Sequence, residues 1–219
     1  MERRLSNLMR GDKMATSPDF TPTELLKHFK LVTRPPNGKW NSELNIQWHH
    51  ENDTIYVCGT NDKFDKICNT IITKIELDTM PVVETHYGFT ILARTLYHVV
   101  KMFKPKLVVG YSLGGSMAQL LSAWTDIPCL TYGSPRVGDS SFASYIDKQH
   151  TRVYTDADLI PRIPRGWFSS KDFIHGGEEV KLSTNAGWFS KKFGSNKYHV
   201  MDVYIESLEK LIKDSETKD

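Results

Sequence analysis

The sequence predicts an α/β fold in which a mostly parallel central sheet has helices on both faces and an antiparallel hairpin at its start. Three observations support this prediction. From residue 71 onward, short apolar runs alternate with helical patterns, as in parallel strands joined by helices. Two alternating segments, 44–48 and 54–58, flank a Glu-Asn-Asp turn and predict the hairpin. An apolar run at 107–109 leads through a glycine-rich turn into a helical stretch at 115–124.

The other elements follow along the chain. Thr21-Pro22-Thr23-Glu24 predicts a helix start, because proline suits the first helical position and glutamate the first turn. Pro35-Pro36-Asn37-Gly38 breaks that helix. Apolar residues at helical spacing predict a second helix over 87–103, which Pro105 ends. The remaining predicted strands are 71–77, 127–132, 151–155 and part of 172–182, and the remaining predicted helices are 140–148 and about 199–213.

Composition limits the domain count and the class of partner. A chain of 219 residues fits one domain, which we place at 20–213, between a flexible N-terminal extension (1–19) and a polar tail (214–219). Hydrophobic content of 39% and charged content of 25% are ordinary for a soluble protein. A net charge of +2 argues against a nucleic-acid partner. The three cysteines are scattered, which predicts neither a disulfide framework nor a metal site.

The N-terminal residues are polar and charged, without the apolar segment of a secretory signal. No stretch approaches the ~18 apolar residues that a membrane span needs. We therefore expect an intracellular, cytoplasmic protein that can still contact membranes peripherally.

The turn after residue 109 has the sequence Gly110-Tyr111-Ser112-Leu113-Gly114, a G-x-S-x-G motif between a predicted strand and a predicted helix. Such a turn projects the serine Oγ above the end of a sheet, with the helix N-terminus beneath it. Ser112 is therefore a candidate nucleophile. The flanking glycines are expected because a Cβ would clash in so tight a turn. The alternative interpretation is a glycine-rich turn with an ordinary serine cap.

A serine nucleophile needs a base, and the base needs an acid to orient it. In hydrolases with this turn the chain order is serine, acid, histidine. His150 disagrees with that order because it precedes the acids. The residues alone leave two acids that end a strand and two later histidines open: Asp156, Asp158, His175 and His199.

Five blocks along the chain together resemble the class 3 lipase family, the fungal-type triacylglycerol lipases and their plant phospholipase relatives. The resemblance covers roughly residues 50–205. It implies the α/β-hydrolase fold and a serine ester hydrolase that cleaves acyl esters of lipids through an acyl-enzyme, without a metal or an organic cofactor. The blocks, in the family's order, are Val57-Cys58-Gly59-Thr60, His86-Tyr87-Gly88-Phe89, Gly110-Tyr111-Ser112-Leu113-Gly114-Gly115, Tyr132-Gly133-Ser134-Pro135-Arg136-Val137-Gly138-Asp139 and Asp158-Leu159-Ile160-Pro161-Arg162-Ile163-Pro164.

The resemblance also assigns roles within the predicted site. The family's acid precedes two apolar residues and Pro-Arg, which implies Asp158. Its catalytic histidine precedes an apolar and aromatic stretch, which implies His199, whereas His175 matches a histidine that the family uses structurally. The implied oxyanion donors are the backbone N–H of Leu113 and the backbone N–H and hydroxyl of Thr60.

Two positions depart from the family pattern. Cys58 replaces the arginine before Gly59, which puts in doubt how the loop carrying Thr60 is fixed. Tyr111 replaces the histidine before the serine. That position packs under the turn, so we expect little effect on the chemistry.

Several apolar segments favour contact with a lipid interface. Phe64 and Ile67 give a weak apolar face where the fungal members have a lid helix. Two Gly-Trp-Phe-Ser segments have lysines nearby, a combination typical of a water–lipid boundary. The alternative is that these aromatic side chains close the core. They are Trp167, Phe168, Trp188 and Phe189.

Two rival functions stay open at this point. The same triad supports phospholipase A1 or acyltransferase activity, because the choice of acceptor depends on how well water is excluded. The second rival is that the chain is a catalytically inactive module that binds lipid surfaces. The sequence makes no prediction of oligomeric state.

Overall fold

The central feature of the fold is a seven-stranded sheet with a separate two-stranded ribbon beside it. A computed structural model describes residues 16–43, 46–59, 74–77, 80–164, 173–184 and 201–217. The strands are β1 (Asn41–Glu43), β2 (Ile46–Glu51), β3 (Thr54–Gly59), β4 (Lys74–Leu77), β5 (Met80–His86), β6 (Leu107–Tyr111), β7 (Cys129–Tyr132), β8 (His150–Thr155) and β9 (Glu178–Leu182). The α-helices among these residues are α1 (Pro22–Thr33), α2 (Tyr87–Phe103), α3 (Leu113–Thr125), α4 (Ser140–Ile146) and α5 (Met201–Glu216), with 3₁₀ turns at Asp147–Gln149 and Ile160–Arg162.

The strand order in the large sheet is β1-β2-β3-β6-β7-β8-β9. The pairs β1–β2 and β2–β3 are antiparallel, and every pair from β3 to β9 is parallel. This arrangement confirms the predicted parallel sheet with an antiparallel hairpin at its start. The sequence patterns did not predict β1 or β5, which forms the ribbon with β4. Strand β1 has no apolar residue that would mark it as a strand. Strand β5 has a proline at its second position, and proline is found mainly in edge strands and at strand starts, which weakens the strand pattern.

The hairpin between β2 and β3 turns at Asn52 and Asp53. Both residues have positive φ angles, 46° and 59°, and Glu51 pairs with Thr54 on either side of them. Two left-handed residues in a two-residue loop match the right-handed twist of the strands they join. The turn chemistry therefore explains why this hairpin was predictable.

Helix α1 begins with a capping box, as its sequence predicts. The backbone N–H of Glu24 donates to the Thr21 hydroxyl at 3.3 Å, and the backbone N–H of Thr21 donates to the Glu24 carboxylate at 2.8 Å. Each contact satisfies a donor that the start of a helix would leave unpaired.

Residues of the predicted terminal segments also make contacts. Residues 1–15 lie outside the described residues, but the backbone N–H of Ser17 donates to the carbonyl of Lys148 at 2.8 Å. The Ser17 hydroxyl lies 2.5 Å from that of Thr151. At the other end, α5 continues to Glu216, so the helix includes part of the predicted tail. Within the described part of the chain, no helix combines the length and the apolar character that a membrane span requires.

Each face of the sheet has its own apolar core, because successive side chains of a strand point to opposite faces. On β6, Val108 enters one core, whereas Val109 and Tyr111 enter the other. Helices α2, α3 and α4 cover the first core, and α1 and α5 cover the second. Helices on both faces were predicted, and the structure confirms them.

The second core is centred on the fully buried ring of Phe29 in α1. Its centroid lies 5.0 Å from that of Tyr132, 5.2 Å from that of Tyr204 and 5.5 Å from that of Tyr111. We call these four residues the aromatic cluster. Their rings pack together and join α1, two strands and α5.

Replacing Phe29 with alanine removes the centre of the aromatic cluster. We expect Phe29→Ala to lower the free energy of unfolding by about 3–5 kcal/mol, through lost burial and the cavity left behind. Urea denaturation measures this loss, with Ile91→Ala as the control because Ile91 is 39% exposed on α2. Equal losses in the two variants would contradict the prediction.

Candidate functional site

Ser112 occupies the turn between β6 and α3. Its φ of 56° and ψ of −126° lie in a region that a residue with a side chain rarely adopts. Its backbone N–H donates to the carbonyl of Tyr132 on the neighbouring strand at 2.9 Å, and its carbonyl accepts from the backbone N–H of Gly115 at 2.9 Å. The turn is therefore held from the sheet and from the helix, as the motif predicts.

The glycines of the motif allow α3 to approach β6 closely. A Cβ on Gly110 would collide with the carbonyl oxygen of Gly114. A Cβ on Gly115, directly after the motif, would lie 2.6 Å from the Cβ of Ser134. The expected reason for glycine in this turn is thus confirmed at Gly110, and it extends to Gly115.

The loop after β7 packs against this turn and against the loop after β8. The buried Ser134 hydroxyl accepts from the side chain of Gln119 in α3 at 2.7 Å and donates to the carbonyl of Pro135 at 3.1 Å. The backbone N–H of Arg136 donates to the carbonyl of Ile163 at 2.8 Å. The hydrogen bond from Arg136 to Ile163 joins the 132–139 block to the 158–164 block.

Asp158 lies three residues beyond the end of β8 and is 1% exposed. Its Oδ1 accepts from the backbone N–H of Ile160 at 2.9 Å, and its Oδ2 accepts from the hydroxyl of Tyr204 at 2.6 Å. A buried carboxylate needs such donors to replace the water it has lost. By contrast, Asp156 accepts from the hydroxyl of Thr184 at 2.7 Å, a contact between two loops.

Ser112 and Asp158 lie at the same edge of the sheet. The pairing places Tyr111 beside Tyr132, and Tyr132 beside Val153, so β6 and β7 end together and β8 continues for two more residues, to Thr155. Ser112 follows β6 directly, and one strand separates it from the strand that leads to Asp158. The strands β6 and β8 are therefore two strand spacings, about 10 Å, apart.

Two of the other histidines near this edge have structural contacts. The Nε2 of His175 donates to the carbonyl of Pro161 at 2.6 Å, in the turn that follows Asp158. Burial is the main cause that lowers the pKa of His175 to about 4. The Nδ1 of His86 accepts from the backbone N–H of Phe89 at 3.4 Å and caps α2, and burial lowers the pKa of His86 to about 4.

His150 at the start of β8 is fully buried. Its Nδ1 donates to the carbonyl of Gly176 at 2.9 Å, so its Nε2 is left to accept from the hydroxyl of Thr131 at 2.8 Å. Burial, with a smaller contribution from the neighbouring His175 and Arg152, lowers the pKa of His150 to about 3. The chain order that disfavours His150 agrees with this position, at the opposite end of β8 from Asp158.

Most of the remaining predicted site residues lie outside the described residues, but their chain neighbours are described. Gly59, which precedes Thr60, ends β3, and β3 pairs in parallel with β6. Met201, two residues after His199, begins α5. The predicted residues outside the described ranges are Thr60, Phe64, Ile67, Trp167, Phe168, Trp188, Phe189 and His199.

Leu113 is the first residue of α3. The first N–H groups of a helix have no acceptor within that helix and are available to an anion. This is the position that an oxyanion donor next to Ser112 requires. The described residues contain no cluster of three or more His, Cys, Asp and Glu side chains suited to a metal ion.

Tyr204 is a site residue that the sequence patterns missed. Its hydroxyl donates to Asp158, although the two residues are 46 positions apart. Its side chain is fully buried in the aromatic cluster. The available signal was its place in the first turns of the helix that follows His199, which is weak without the fold.

Comparison with known proteins identifies a family. The family model "Lipase (class 3)" matches residues 40–167, more than half of the chain. The lipase of Rhizomucor miehei is 32% identical over 92 residues, which are 36% of this chain and 24% of that protein. The secreted mono- and diacylglycerol lipase 1 of Fusarium solani is 38% identical over 66 residues, which are 26% of this chain and 20% of that protein. The sequence matches therefore span about a quarter or less of these relatives.

Solved structures show the same fold over a larger part of the chain. The triacylglyceride lipase of Rhizomucor miehei superimposes with a TM-score of 0.58 and 19% identity, over 77% of this chain and 83% of that one. The lipase of Rhizopus microsporus var. chinensis superimposes with a TM-score of 0.54 and 21% identity, over 77% of this chain and 78% of that one. The α/β-hydrolase fold expected from the sequence is confirmed.

The pKa of His150 predicts how stability depends on pH. In the unfolded chain the pKa of His150 is ordinary, about 6.5. Below that pH, His150 is therefore protonated in the unfolded state but stays neutral in the folded state. Stability is therefore complete above pH 6.5 and falls as the pH drops toward the folded value of about 3. Its share of this loss between pH 7 and pH 5 is about 2 kcal/mol.

Urea denaturation of His150→Asn at both pH values tests this expectation. The loss of unfolding free energy from pH 7 to pH 5 should be smaller than in the wild type by about 2 kcal/mol. The control is His98→Asn, because His98 is largely exposed. A wild-type pH dependence in His150→Asn would show that the buried ring is protonated without cost.

Proposed function

Because the chain belongs to the class 3 lipase family, we propose that it is a serine ester hydrolase that cleaves acyl esters of lipids. The observation that supports this most strongly is the strained, doubly held turn at Ser112. A strained backbone persists only where the surrounding structure enforces it, and such residues concentrate at functional sites. Here the strained residue is a half-buried serine at the edge of the sheet where Asp158 also lies.

The proposed reaction uses Ser112, His199 and Asp158. His199 takes the proton of Ser112 as its Oγ attacks the ester carbonyl, and then gives that proton to the leaving alcohol. Asp158 holds the imidazole in the required tautomer and stabilises its positive charge. Water then attacks the acyl-enzyme by the same route and releases the fatty acid.

The negative charge on the carbonyl oxygen needs donors that are already in position. Leu113 supplies its backbone N–H from the start of α3. Thr60 is the proposed second donor, and it directly follows Gly59 at the end of the strand beside β6. Cys58, which replaces the family's arginine, is partly buried against the second core, and burial raises its pKa to about 11. Its thiol is therefore neutral and serves as an apolar group.

Two observations support His199 over His175 as the base. His175 already donates its Nε2 proton to Pro161. His199 is two residues before Met201, which begins α5. The next turn of α5 contains Tyr204, whose hydroxyl contacts Asp158.

Exposed apolar side chains at this edge suit a lipid substrate. Leu159, directly after Asp158, is 60% exposed, and Ile174 and Met201 are each 39% exposed. Exposed apolar groups that border a site favour apolar ligands or interfaces. We propose that they contact the acyl chain or the surface of a lipid aggregate, as a peripheral contact.

The serine mechanism is tested by hydrolysis of a short-chain p-nitrophenyl ester. We expect Ser112→Ala to lower kcat/KM by at least about 10³-fold, because the nucleophile is removed. The matched control is Ser116→Ala, in the first turn of α3. The Ser116 hydroxyl is buried and donates to the carbonyl of Leu113, so its loss affects stability more than rate.

Equal turnover by the wild type and Ser112→Ala would show that Ser112 is not the nucleophile. A folded wild type without turnover on short-chain or lipid esters would contradict the proposed function itself.

The identity of the base is tested with the two downstream histidines. We expect His199→Ala to lower kcat by about the same factor as Ser112→Ala, because members of a triad act as a unit. His175→Ala should keep most of the kcat and lose thermal stability, since it breaks a buried hydrogen bond. The reverse pattern would identify His175 as the base.

A further inference from the structure

The hydroxyl of Tyr204 and the backbone N–H of Ile160 each donate to a different oxygen of Asp158. Donors on both oxygens fix the plane of a carboxylate, whereas one donor leaves it free to rotate. The backbone donor is two residues from Asp158 and comes with the turn itself. The Tyr204 donor comes from α5 and depends on tertiary packing.

The packing around its ring holds the Tyr204 hydroxyl against Asp158. Its ring stacks on Phe29 with centroids 5.2 Å apart and meets Tyr111 edge-on at 6.1 Å. The side chain is fully buried, so a rotated hydroxyl would find no water. Burial, and then the charge of Asp158, raise the pKa of Tyr204 well above its ordinary value, so the hydroxyl keeps its proton and remains a donor.

The same packing reaches the nucleophile. Tyr111 directly precedes Ser112, and its ring lies against both Phe29 and Tyr204. The contact between Tyr204 and Asp158 also joins Asp158 to the start of α5, which begins at Met201. One side chain thus links the proposed acid, the start of α5 and the strand that leads to Ser112.

We infer that Tyr204 is a positioning residue for the reaction proposed above: its hydroxyl fixes the carboxylate of Asp158 toward the catalytic histidine. This inference rests on the proposed function. The phenol touches neither the substrate nor the reacting atoms, so it acts through Asp158. Its removal should slow the chemical step and leave substrate binding unchanged.

The chain provides a matched control in Tyr132. It is also fully buried in the aromatic cluster, but its hydroxyl donates to the backbone carbonyl of Leu25 at 2.7 Å. Tyr204→Phe and Tyr132→Phe each remove one buried hydroxyl and keep the ring. They differ only in the acceptor that loses its donor, which is the catalytic carboxylate in one case and a helix carbonyl in the other.

We expect Tyr204→Phe to lower kcat for the p-nitrophenyl ester about tenfold with KM unchanged, as for a lost hydrogen bond to a charged group. Tyr132→Phe should keep the wild-type kcat. Thermal unfolding of both variants reports the structural cost, which should be similar. A kcat that is the same in both variants, or a change in KM alone, would overturn the assignment.

A double-mutant cycle tests whether the effect passes through Asp158. Single-turnover labelling of Ser112 by a fluorophosphonate gives a rate even for slow variants. If Tyr204 acts through Asp158, adding Tyr204→Phe to Asp158→Asn should change that rate less than twofold. A further tenfold loss in that background would show that Tyr204 acts elsewhere. Absence of ester hydrolysis or labelling in the wild type would instead reject the proposed function, so the two failures are distinguishable.

Discussion

The rest of the structure depends on the complete burial of β6. All five of its residues are buried, since β3 and β7 lie on its two sides and an apolar core covers each of its faces. A strand enclosed in this way cannot shift without disturbing both cores. The position of its last residue, Tyr111, is therefore fixed, and the turn at Ser112 begins directly after it. The position of Ser112, the proposed nucleophile, thus follows from the packing of the whole domain.

The two cores have different roles at this point. Helix α3, which is buried from Leu113 to Ala123, belongs to the first core, and it begins directly after the turn. The second core contains the aromatic cluster and reaches Asp158 through Tyr204. One face of the sheet therefore supports the predicted oxyanion donor, and the other supports the acid. Since both cores share β6, the start of α3 and Asp158 are held in fixed positions relative to each other.

Local chemistry decided which features were predictable from the sequence. The hairpin, the bounds of α2 and the strand–turn–helix at Ser112 follow from turn residues and periodicity, which act over a few positions. The choice of Asp158 over Asp156 needed the family resemblance, because both follow the same strand. The contact of Tyr204 with Asp158 joins residues 46 positions apart, so no local pattern reveals it. Strand β1 pairs with the adjacent β2, but it has no apolar residue that would mark it as a strand.

Two requirements at position 112 oppose each other: one comes from the positive φ angle of the backbone, and the other from the proposed chemistry. Glycine is the residue that adopts a positive φ at least cost, but glycine has no nucleophile. Under the proposed function, the reaction requires serine at this position although the backbone favours glycine. A descendant of this chain that no longer needed the reaction would gain stability from glycine there. Glycine at the centre of this turn would then distinguish a catalytically inactive relative from an active one.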